Sequence, residues 1–323
     1  MRLRYSPPRM PGTTSQSAGR SLLACEGMSK AEIESILDAA EKHRAMIDRR
    51  EQSDLLRGMT VVNAFFEHST RTRTSFEMAA KRLGAMVVNF DPGLSSTAKG
   101  ETLADTVRTL DAMGVDAMVV RHASGGSAAF VARHVRAAVV NAGDGRHEHP
   151  TQALLDAMTI RRALGTVEKK RVAIVGDVLH SRVARSNVHT LRALGAEVVL
   201  VGPRSMAPTD LGSALSSKIF NDLREGVAGA DVIMTLRIQL ERHARAQFPG
   251  GGEYARLFGI TPARLEWAKK DGKVLVMHPG PCNRGVEVSR EMLNDERCLM
   301  LEQVANGVAV RMAVLARACG AEQ

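Results

Sequence analysis

A run of hydroxyl and guanidinium side chains, Ser69-Thr70-Arg71-Thr72-Arg73, carries the clearest chemistry in this chain. An apolar run from Val61 to Phe66 precedes it, and apolar residues at helical spacing follow it. The pattern predicts a strand that ends where a helix begins, so unpaired backbone N–H groups and the helix dipole meet these side chains. Such a helix start binds phosphate, although an ordinary Ser N-cap beside a solvated basic turn explains this segment alone equally well.

Other basic and amide side chains follow the ends of other apolar runs. Arg121 closes one run, Arg182 begins a helix after a second, and Arg237 with Gln239 follows a third. Each of these alone is also consistent with a surface residue. Together they predict anion-binding groups at the carboxyl edges of parallel sheets, which is where α/β proteins bind ligands.

His149 lies directly before Pro150, a residue favoured at the first position of a helix. The positive end of the helix dipole disfavours the protonated imidazole, and a neutral imidazole can donate a hydrogen bond to a carbonyl oxygen. His147 and His149 also form a possible metal-ligand pair. Because no HExxH spacing or neighbouring cysteine accompanies them, we expect no metal.

Two segments superficially resemble nucleotide-binding motifs. The loop around Lys99-Gly100 lacks the order and the first glycine of a P-loop, and Gly176 stands alone where a dinucleotide fingerprint needs three glycines. We therefore expect no cofactor. A site rich in anion-binding groups, with no Ser-His-Asp order, catalytic cysteine or acidic pair, works by positioning two charged reactants and stabilising charge.

Composition limits the class of protein. The chain has 323 residues, 44% of them hydrophobic, which is enough for two domains. No segment approaches the roughly 18 consecutive apolar residues of a membrane span, and the four cysteines show no CxxC spacing. The chain is therefore expected in the reducing cytoplasm, away from membranes. A net charge of +9 fits an anionic partner, but with 3% aromatic residues nucleic acid is not expected.

Strand and helix patterns alternate along almost the whole chain and predict two doubly wound α/β domains with parallel sheets and a cleft between them. Residues 1–20, basic and rich in Pro and Ser, are expected to form a flexible extension. Residues 21–150 with a C-terminal helix at 303–323 are predicted as one domain, and residues 151–302 as the other. Within the second domain, helices are predicted near 219–228 and 261–270.

Across residues 22–318 the chain resembles the catalytic chains of the aspartate carbamoyltransferase family. The motifs that carry this resemblance are ordered along the sequence: Phe65 to Arg73, Ser95 to Thr102, Arg121-His122, Asn141 to Gln152, Gly176 to Arg182, Arg237-Ile-Gln239 and His278-Pro-Gly-Pro281. The resemblance implies transfer of the carbamoyl group of carbamoyl phosphate to L-aspartate, which yields N-carbamoyl-L-aspartate and phosphate in pyrimidine biosynthesis. It also implies the same two-domain fold, with the active site between the domains.

The resemblance further implies a role for each matching residue. The phosphate is bound by Ser69, Thr70, Arg71, Thr72 and Arg121. Three of the side chains polarise the carbonyl oxygen and are thus catalytic: Thr72, Arg121 and His149. Gln152 and the carbonyls of Gly280 and Pro281 hold the carbamoyl NH2 group. Aspartate is bound by Lys99, Arg182, Arg237 and Gln239, with Ser95 and Lys99 coming from the adjacent subunit, and Glu67 pairs with Arg182 or Arg242.

A site shared between subunits implies a homotrimer, and family members also assemble with regulatory or dihydroorotase-like chains. Ornithine carbamoyltransferase is the nearest alternative, and an anion- or nucleic-acid-binding protein is a more distant one. Ornithine enzymes typically carry His-Cys-Leu-Pro where this chain has His278-Pro-Gly-Pro281, and Arg237 suits a second carboxylate better than an ammonium group. Cys282 follows this turn directly, and its thiol is expected either to be inert or, if it is exposed beside the cleft, to be open to alkylation.

Overall fold

Two parallel sheets organise the chain, which a computed structural model describes over residues 20–91, 101–238, 250–269 and 273–321. The first sheet has the order β2-β1-β3-β4. Its strands are β1 (Thr60–Phe65), β2 (Met86–Phe90), β3 (Ala117–His122) and β4 (Ala138–Asp144). The second sheet has the order β7-β6-β5-β8-β9. Its strands are β5 (Arg171–Val175), β6 (Glu197–Val201), β7 (Lys218–Phe220), β8 (Val232–Thr235) and β9 (Leu275–Met277).

Helices connect these strands and cover the sheets. They are α1 (Lys30–Asp48), α2 (Thr70–Arg82), α3 (Leu103–Ala112), α4 (Ser127–Ala132), α5 (Pro150–Leu164), α6 (Arg182–Ala193), α7 (Leu211–Ala214), α8 (Leu223–Val227), α9 (Gly251–Phe258) and α10 (Met300–Ala318). Short 3-10 helices span Pro262–Trp267 and Met292–Asn294. All described strand pairs are parallel, so the predicted fold class, with two parallel-sheet α/β units, is confirmed.

Strand order reverses once in each sheet. In the first sheet β1 lies between β2 and β3, and in the second β5 lies between β6 and β8. Loops leaving the two strands at such a point diverge to opposite faces and open a crevice at the carboxyl ends. Glu67 and Arg121 lie at the first crevice, and Asp177 and Arg237 lie at the second.

Helices α5 and α10 join the two halves. Helix α5 packs against α6, and α10 packs against α1, α2 and α5. One continuous apolar cluster includes Ile33, Phe76, Met158, Leu191 and Leu315, which belong to these five helices. Because this cluster is shared, the two crevices are held at a defined separation.

The region near residues 219–228 was predicted wrongly as one helix. Strand β7 pairs with the edge of β6 there, and the shorter helix α8 begins after Asp222, whose side chain accepts a hydrogen bond from the Glu225 backbone N–H. The helix predicted near 261–270 is a 3-10 helix instead. Among the described residues, no helix combines the length and the apolar character of a membrane span.

Candidate active site

The start of α2 is built as the sequence predicts. Ser69 is the N-cap residue in an extended conformation, but its hydroxyl caps no backbone N–H and donates to Thr72 Oγ1 at 3.0 Å. The N–H groups of the first turn are therefore without a side-chain cap from Ser69, and the Thr72 hydroxyl hydrogen is left to donate elsewhere. Arg71 is exposed in this same turn. The arrangement is suited to binding a phosphate group.

Glu67 joins two arginines from different parts of the fold. Arg182 Nη1 and Nη2 donate to the two carboxylate oxygens of Glu67, each at 2.9 Å, and Arg121 Nη2 donates to Oε1 at 3.1 Å. The predicted pair with Arg182 is confirmed, whereas Arg242 lies outside the described residues. Sequence reasoning missed that Arg121 shares the same carboxylate. Glu67 thereby fixes a guanidinium from β3 against one from α6.

Gly143 lets these two arginines approach each other. Its φ of +113° is in the region that favours glycine, and a Cβ atom there would lie 3.0 Å from both Arg121 Nη1 and Arg182 Nε. Arg121 Nη1 also donates to the carbonyl of Ala142 at 3.1 Å. The end of β4 therefore packs directly against both guanidinium groups.

His149 is buried at the N-cap position of α5. Burial lowers the pKa of its imidazole well below the ordinary value, and nearby Arg121, Arg182 and Arg311 lower it further. Its backbone N–H donates to Ser186 Oγ at 2.8 Å, and Ser186 in turn donates to the buried Glu148 at 2.8 Å. The imidazole is therefore neutral, as the sequence predicts, with desolvation as the main cause.

Behind His149, α5 presents Gln152 and one turn later Asp156. Gln152 Nε2 donates to Asp156 Oδ1 at 2.9 Å. Asp156 also accepts from Gln303 of α10, and its pKa is raised by burial to about 6. Sequence reasoning missed Asp156 and Gln303, although the four-residue spacing of Gln152 and Asp156 on one helix face was an available signal.

The second sheet contributes Arg237 and the turn after β9. Burial is the main cause that lowers the pKa of His278 to about 3. The positive charges of Arg71 and Arg237 also lower this pKa. A Cβ atom on Gly280 would lie 2.5 Å from Arg71 Nη1, so Arg71 reaches this turn from the start of α2. The pKa of Arg71 is lowered by desolvation and by Arg237. Two like charges that act on each other in this way are stabilised by an anion bound near both.

Glu287 ties this turn to the segment after β8. Its carboxylate accepts hydrogen bonds from the backbone N–H groups of Ile238, at 2.8 Å, and Asn283, at 2.6 Å, and from Asn283 Nδ2 at 2.8 Å. Cys282 Sγ donates to the same carboxylate at 3.4 Å. Burial and Glu287 raise the pKa of this thiol to about 12, which makes Cys282 a poor nucleophile.

His278, Cys282 and Glu287 lie close enough together to share a metal ion. The carboxylate already accepts three N–H groups, and Arg71 and Arg237 act on the same turn. A cation is unfavourable in this position because the lone pairs are used and the local charge is positive.

Each domain thus provides part of the site. Thr72, Arg121, His149 and Gln152 surround the first crevice, and Arg182, Arg237, Gly280 and Pro281 lie at or beside the second. The predicted ligands Ser95, Lys99 and Gln239 lie outside the described residues. His68, beside the phosphate motif, is exposed. The described part of the cleft holds several cations around the neutral imidazole of His149, an arrangement for binding two anions and stabilising an oxyanion.

Comparison with known proteins gives two adjacent family matches. Residues 20–162 match the aspartate/ornithine carbamoyltransferase carbamoyl-P binding domain, and residues 168–318 match the Asp/Orn binding domain. An aspartate carbamoyltransferase catalytic subunit from Rhodospirillum rubrum is 55% identical over 92% of this chain and 92% of its own length. The corresponding subunit from Myxococcus xanthus is 53% identical over 92% of this chain and 98% of its own.

Solved structures agree with these sequence matches. Aspartate transcarbamoylase from Trypanosoma cruzi, in complex with N-(phosphonacetyl)-L-aspartic acid, aligns with a TM-score of 0.83 at 35% identity. That alignment covers 92% of this chain and 95% of the other. The same enzyme in complex with carbamoyl aspartate and phosphate aligns with a TM-score of 0.81 at 34% identity over 95% and 97% of the two chains.

Proposed function

The chain belongs to the aspartate/ornithine carbamoyltransferase family, and we propose that it acts as an aspartate carbamoyltransferase. It transfers the carbamoyl group of carbamoyl phosphate to the α-amine of L-aspartate, and the products are N-carbamoyl-L-aspartate and phosphate. The observation that carries this proposal is the convergence of Arg71, Arg121, Arg182 and Arg237 on a cleft with a buried neutral His149. The reaction belongs to pyrimidine biosynthesis.

Carbamoyl phosphate binds at the start of α2. The backbone N–H groups of the first turn, with Ser69, Thr70 and Arg71, hold the phosphate oxygens. Arg121 reaches the same group from β3, because Glu67 and the Ala142 carbonyl fix its guanidinium. The phosphate bears most of the substrate's charge, so these contacts supply most of the binding energy.

The carbonyl oxygen of carbamoyl phosphate is polarised by Thr72, Arg121 and His149. The Thr72 hydroxyl accepts from Ser69 and therefore turns its own hydrogen away from that residue. The His149 imidazole is neutral and donates one N–H. Three donors directed at one oxygen stabilise the negative charge that develops when the carbonyl carbon is attacked.

L-Aspartate binds against the second crevice. Arg182 and Arg237 hold its carboxylates, supported by Gln239 and by Lys99 of an adjacent subunit. The uncharged α-amine attacks the carbonyl carbon, a tetrahedral oxyanion forms, and phosphate leaves with the amine proton. No covalent bond to the protein forms, and the rate enhancement comes from positioning two mutually repelling anions.

The choice of aspartate over ornithine follows from charge. Arg71 and Arg237 both act on the turn that contains His278 and Gly280, so a second ammonium group is repelled there. A carboxylate in the same position is attracted. Aspartate is therefore the favoured acceptor of the carbamoyl group.

A homotrimer, with Ser95 and Lys99 donated across the subunit interface, completes the site. Support comes from the edge strand β2, which directly precedes residues 92–100 and exposes Met86 at 66% and Val88 at 41%. Met78 on the adjoining helix α2 is 43% exposed. An exposed apolar edge of this kind is typical of a surface that another subunit covers.

The proposal also assigns each domain a substrate and places the protein in the cytoplasm. Residues 21–150 with 303–323 form the carbamoyl-phosphate-binding domain, and residues 151–302 form the aspartate-binding domain. Packing of α10 against α1 and α2 supports this division. The four free cysteines, two of them buried, fit a reducing cytoplasm. Relatives are named catalytic subunits, which fits a further assembly with a regulatory or dihydroorotase-like chain.

A product assay tests the proposed function directly. Purified protein is incubated with carbamoyl phosphate and either L-aspartate or L-ornithine, and N-carbamoyl-aspartate or citrulline is measured by mass spectrometry. We expect carbamoyl-aspartate at least about a hundredfold faster than citrulline, because aspartate is more negative than ornithine by two unit charges and the site is cationic. Citrulline as the main product would contradict the assignment.

A further inference from the structure

Asp156 is a buried carboxylate that none of the substrate contacts above uses. It lies on α5 one turn after Gln152 and is 0% exposed. Its oxygens accept hydrogen bonds from Gln152 Nε2 at 2.9 Å, Gln303 Nε2 at 2.7 Å and Asn187 Nδ2 at 2.8 Å. Arg311 on α10 is the charged group that acts on it. An ionised carboxylate in such a position is stabilised by these donors against the cost of desolvation.

The carboxylate sets the direction of two glutamine amides. An ionised carboxylate only accepts hydrogen bonds, so each partner must turn an N–H toward it. Gln152 therefore presents Nε2 to Asp156 and keeps its amide oxygen for another donor. Gln303 likewise presents Nε2 to Asp156, and its own oxygen accepts the His278 backbone N–H at 2.9 Å.

His278 begins the turn that contains Gly280 and Pro281. The Gly280 backbone N–H donates to His278 Nδ1 at 2.7 Å, so the position of His278 determines the path of the turn. Asp156 is thus linked to both groups of oxygens that are predicted to accept hydrogen bonds from the carbamoyl NH2 group. One link passes through Gln152, and the other passes through Gln303 and His278 to the turn carbonyls.

We propose that Asp156 is a positioning residue that aims the oxygens of Gln152, Gly280 and Pro281 at the NH2 group of carbamoyl phosphate. This inference rests on the proposed function, because it concerns how that substrate is recognised. An acyl phosphate with a methyl group in place of NH2 offers these oxygens no donor. The network therefore gives the site its preference for a carbamoyl over an acetyl group.

Acetyl phosphate provides the probe, because it matches carbamoyl phosphate in shape and lacks the NH2 donor. Dissociation constants of both ligands are measured by calorimetry for the wild type, Asp156→Ala and Gln303→Met. We expect each variant to bind carbamoyl phosphate about tenfold more weakly, and acetyl phosphate within about twofold of wild type. Gln303→Met is the milder change, because it keeps the bond between Gln152 and Asp156.

A matched control lies one turn further along the same two helices. Asn306 Nδ2 donates to Thr159 Oγ1 at 2.9 Å, and both residues are buried, so this pair also bridges α5 and α10. Thr159→Val removes that bridge with little change in shape. We expect this variant to be less stable in urea, with the ratio of the two dissociation constants unchanged.

Two results would overturn the proposal. One is equal weakening of both ligands in Gln303→Met, and the other is a change of the ratio in Thr159→Val as large as in Gln303→Met. Either would mean that the network only holds the helices together. Failure of the proposed function is seen separately, as a wild-type protein that binds no carbamoyl phosphate.

Discussion

Glu67 pairs with two arginines of the cleft at once. It accepts hydrogen bonds from both Arg121 and Arg182, which belong to the two sides of the proposed reaction. Loss of one partner in a partly buried ion pair leaves the other charge desolvated and mobile. Glu67 therefore sets the distance between Arg121, proposed to polarise the carbonyl, and Arg182, proposed to hold aspartate.

Glu67→Gln tests this role. The amide is uncharged and its nitrogen cannot accept a hydrogen bond, so at least one arginine loses its partner. We expect kcat/KM for aspartate to fall by about 10- to 100-fold in steady-state assays, with the circular dichroism spectrum unchanged.

Glu77→Gln is the matched control for this substitution. Glu77 accepts from Lys81 at 2.6 Å and from Asn89 at 2.9 Å on the outer face of α2. Exposed pairs of this kind contribute little, so kcat/KM should stay within about twofold of wild type. Equal effects of the two substitutions would contradict the role of Glu67.

The lowered pKa of the buried His278 determines how the free energy of unfolding changes with pH. The pKa of His278 is about 3 in the folded protein and its ordinary value is 6.5, so the unfolded chain binds a proton that the folded protein does not. The stability from this group is complete above pH 6.5 and is lost as pH falls toward 3. It amounts to about 2 kcal/mol between pH 7 and pH 5.

His278→Asn tests this prediction, since the amide oxygen of asparagine can replace Nδ1 as the acceptor of the Gly280 N–H. Urea unfolding at pH 7 and pH 5 gives the free energy of unfolding for each protein. The variant should lose less stability than wild type over this interval. Equal losses in both proteins would show that His278 is protonated in the folded state.

At the scale of elements, the end of β4 determines how closely the arginines of β3 and α6 approach. Gly143→Ala adds a methyl group 3.0 Å from Arg121 Nη1 and Arg182 Nε, at a φ of +113°. We expect kcat to fall by about tenfold or more because both guanidiniums are displaced. Stability should fall by about 1–3 kcal/mol, measured by urea unfolding.

Gly114→Ala separates the backbone effect from the contact with the arginines. Gly114 has a φ of +83° and no atom within 4 Å of an added Cβ. The variant should lose stability through strain alone and keep normal kcat. If Gly114→Ala reduces kcat as much as Gly143→Ala, the contact of Gly143 with the two arginines has no catalytic role.

Local patterns predicted some elements and not others. The start of α2 was predictable because the strand, the Ser69 cap and the helical spacing are consecutive in the chain. Strand β7 was not predictable in this way, because Lys218–Phe220 forms a strand only by pairing with β6. The hydrogen bond from Gln303 to Asp156 joins residues 147 positions apart, and no short-range spacing indicates it.

Sequence motifs were most informative for groups expected to touch substrate. Arg121, His149 and Arg182 were identified from their positions at strand and helix ends, and all three lie in the cleft. Of the groups that orient them, Glu67 was expected as a partner of Arg182 and is found there, whereas the groups behind His149 were missed. Glu148 and Ser186 hold the backbone of His149 through contacts that exist only in the folded protein.

In the proposed trimer, each active site is shared between two neighbouring subunits. Lys99→Ala and Arg121→Ala chains are each expected to be nearly inactive as pure assemblies. When they are dissociated, mixed and reassembled, some sites combine an intact Arg121 with an intact Lys99 from the neighbouring chain. We expect recovered activity of about a quarter of wild type, measured by product formation.

A second mixture is the control for reassembly. Arg121→Ala and His149→Ala alter residues expected on the same side of one site, so no combination of these chains restores an intact site. This mixture should remain inactive. Equal activity of the two mixtures, or none in either, would contradict a site shared through Lys99.

In the proposed mechanism, two domains each bind one anion and bring the two together without a covalent intermediate. A crystal structure of this protein with N-(phosphonacetyl)-L-aspartic acid, which joins both substrates in one molecule, tests it most directly. We expect the phosphonate at the start of α2 beside Arg71 and Arg121, with the carboxylates on Arg182 and Arg237. An empty cleft at saturating inhibitor, or a ligand held by one domain alone, would contradict it.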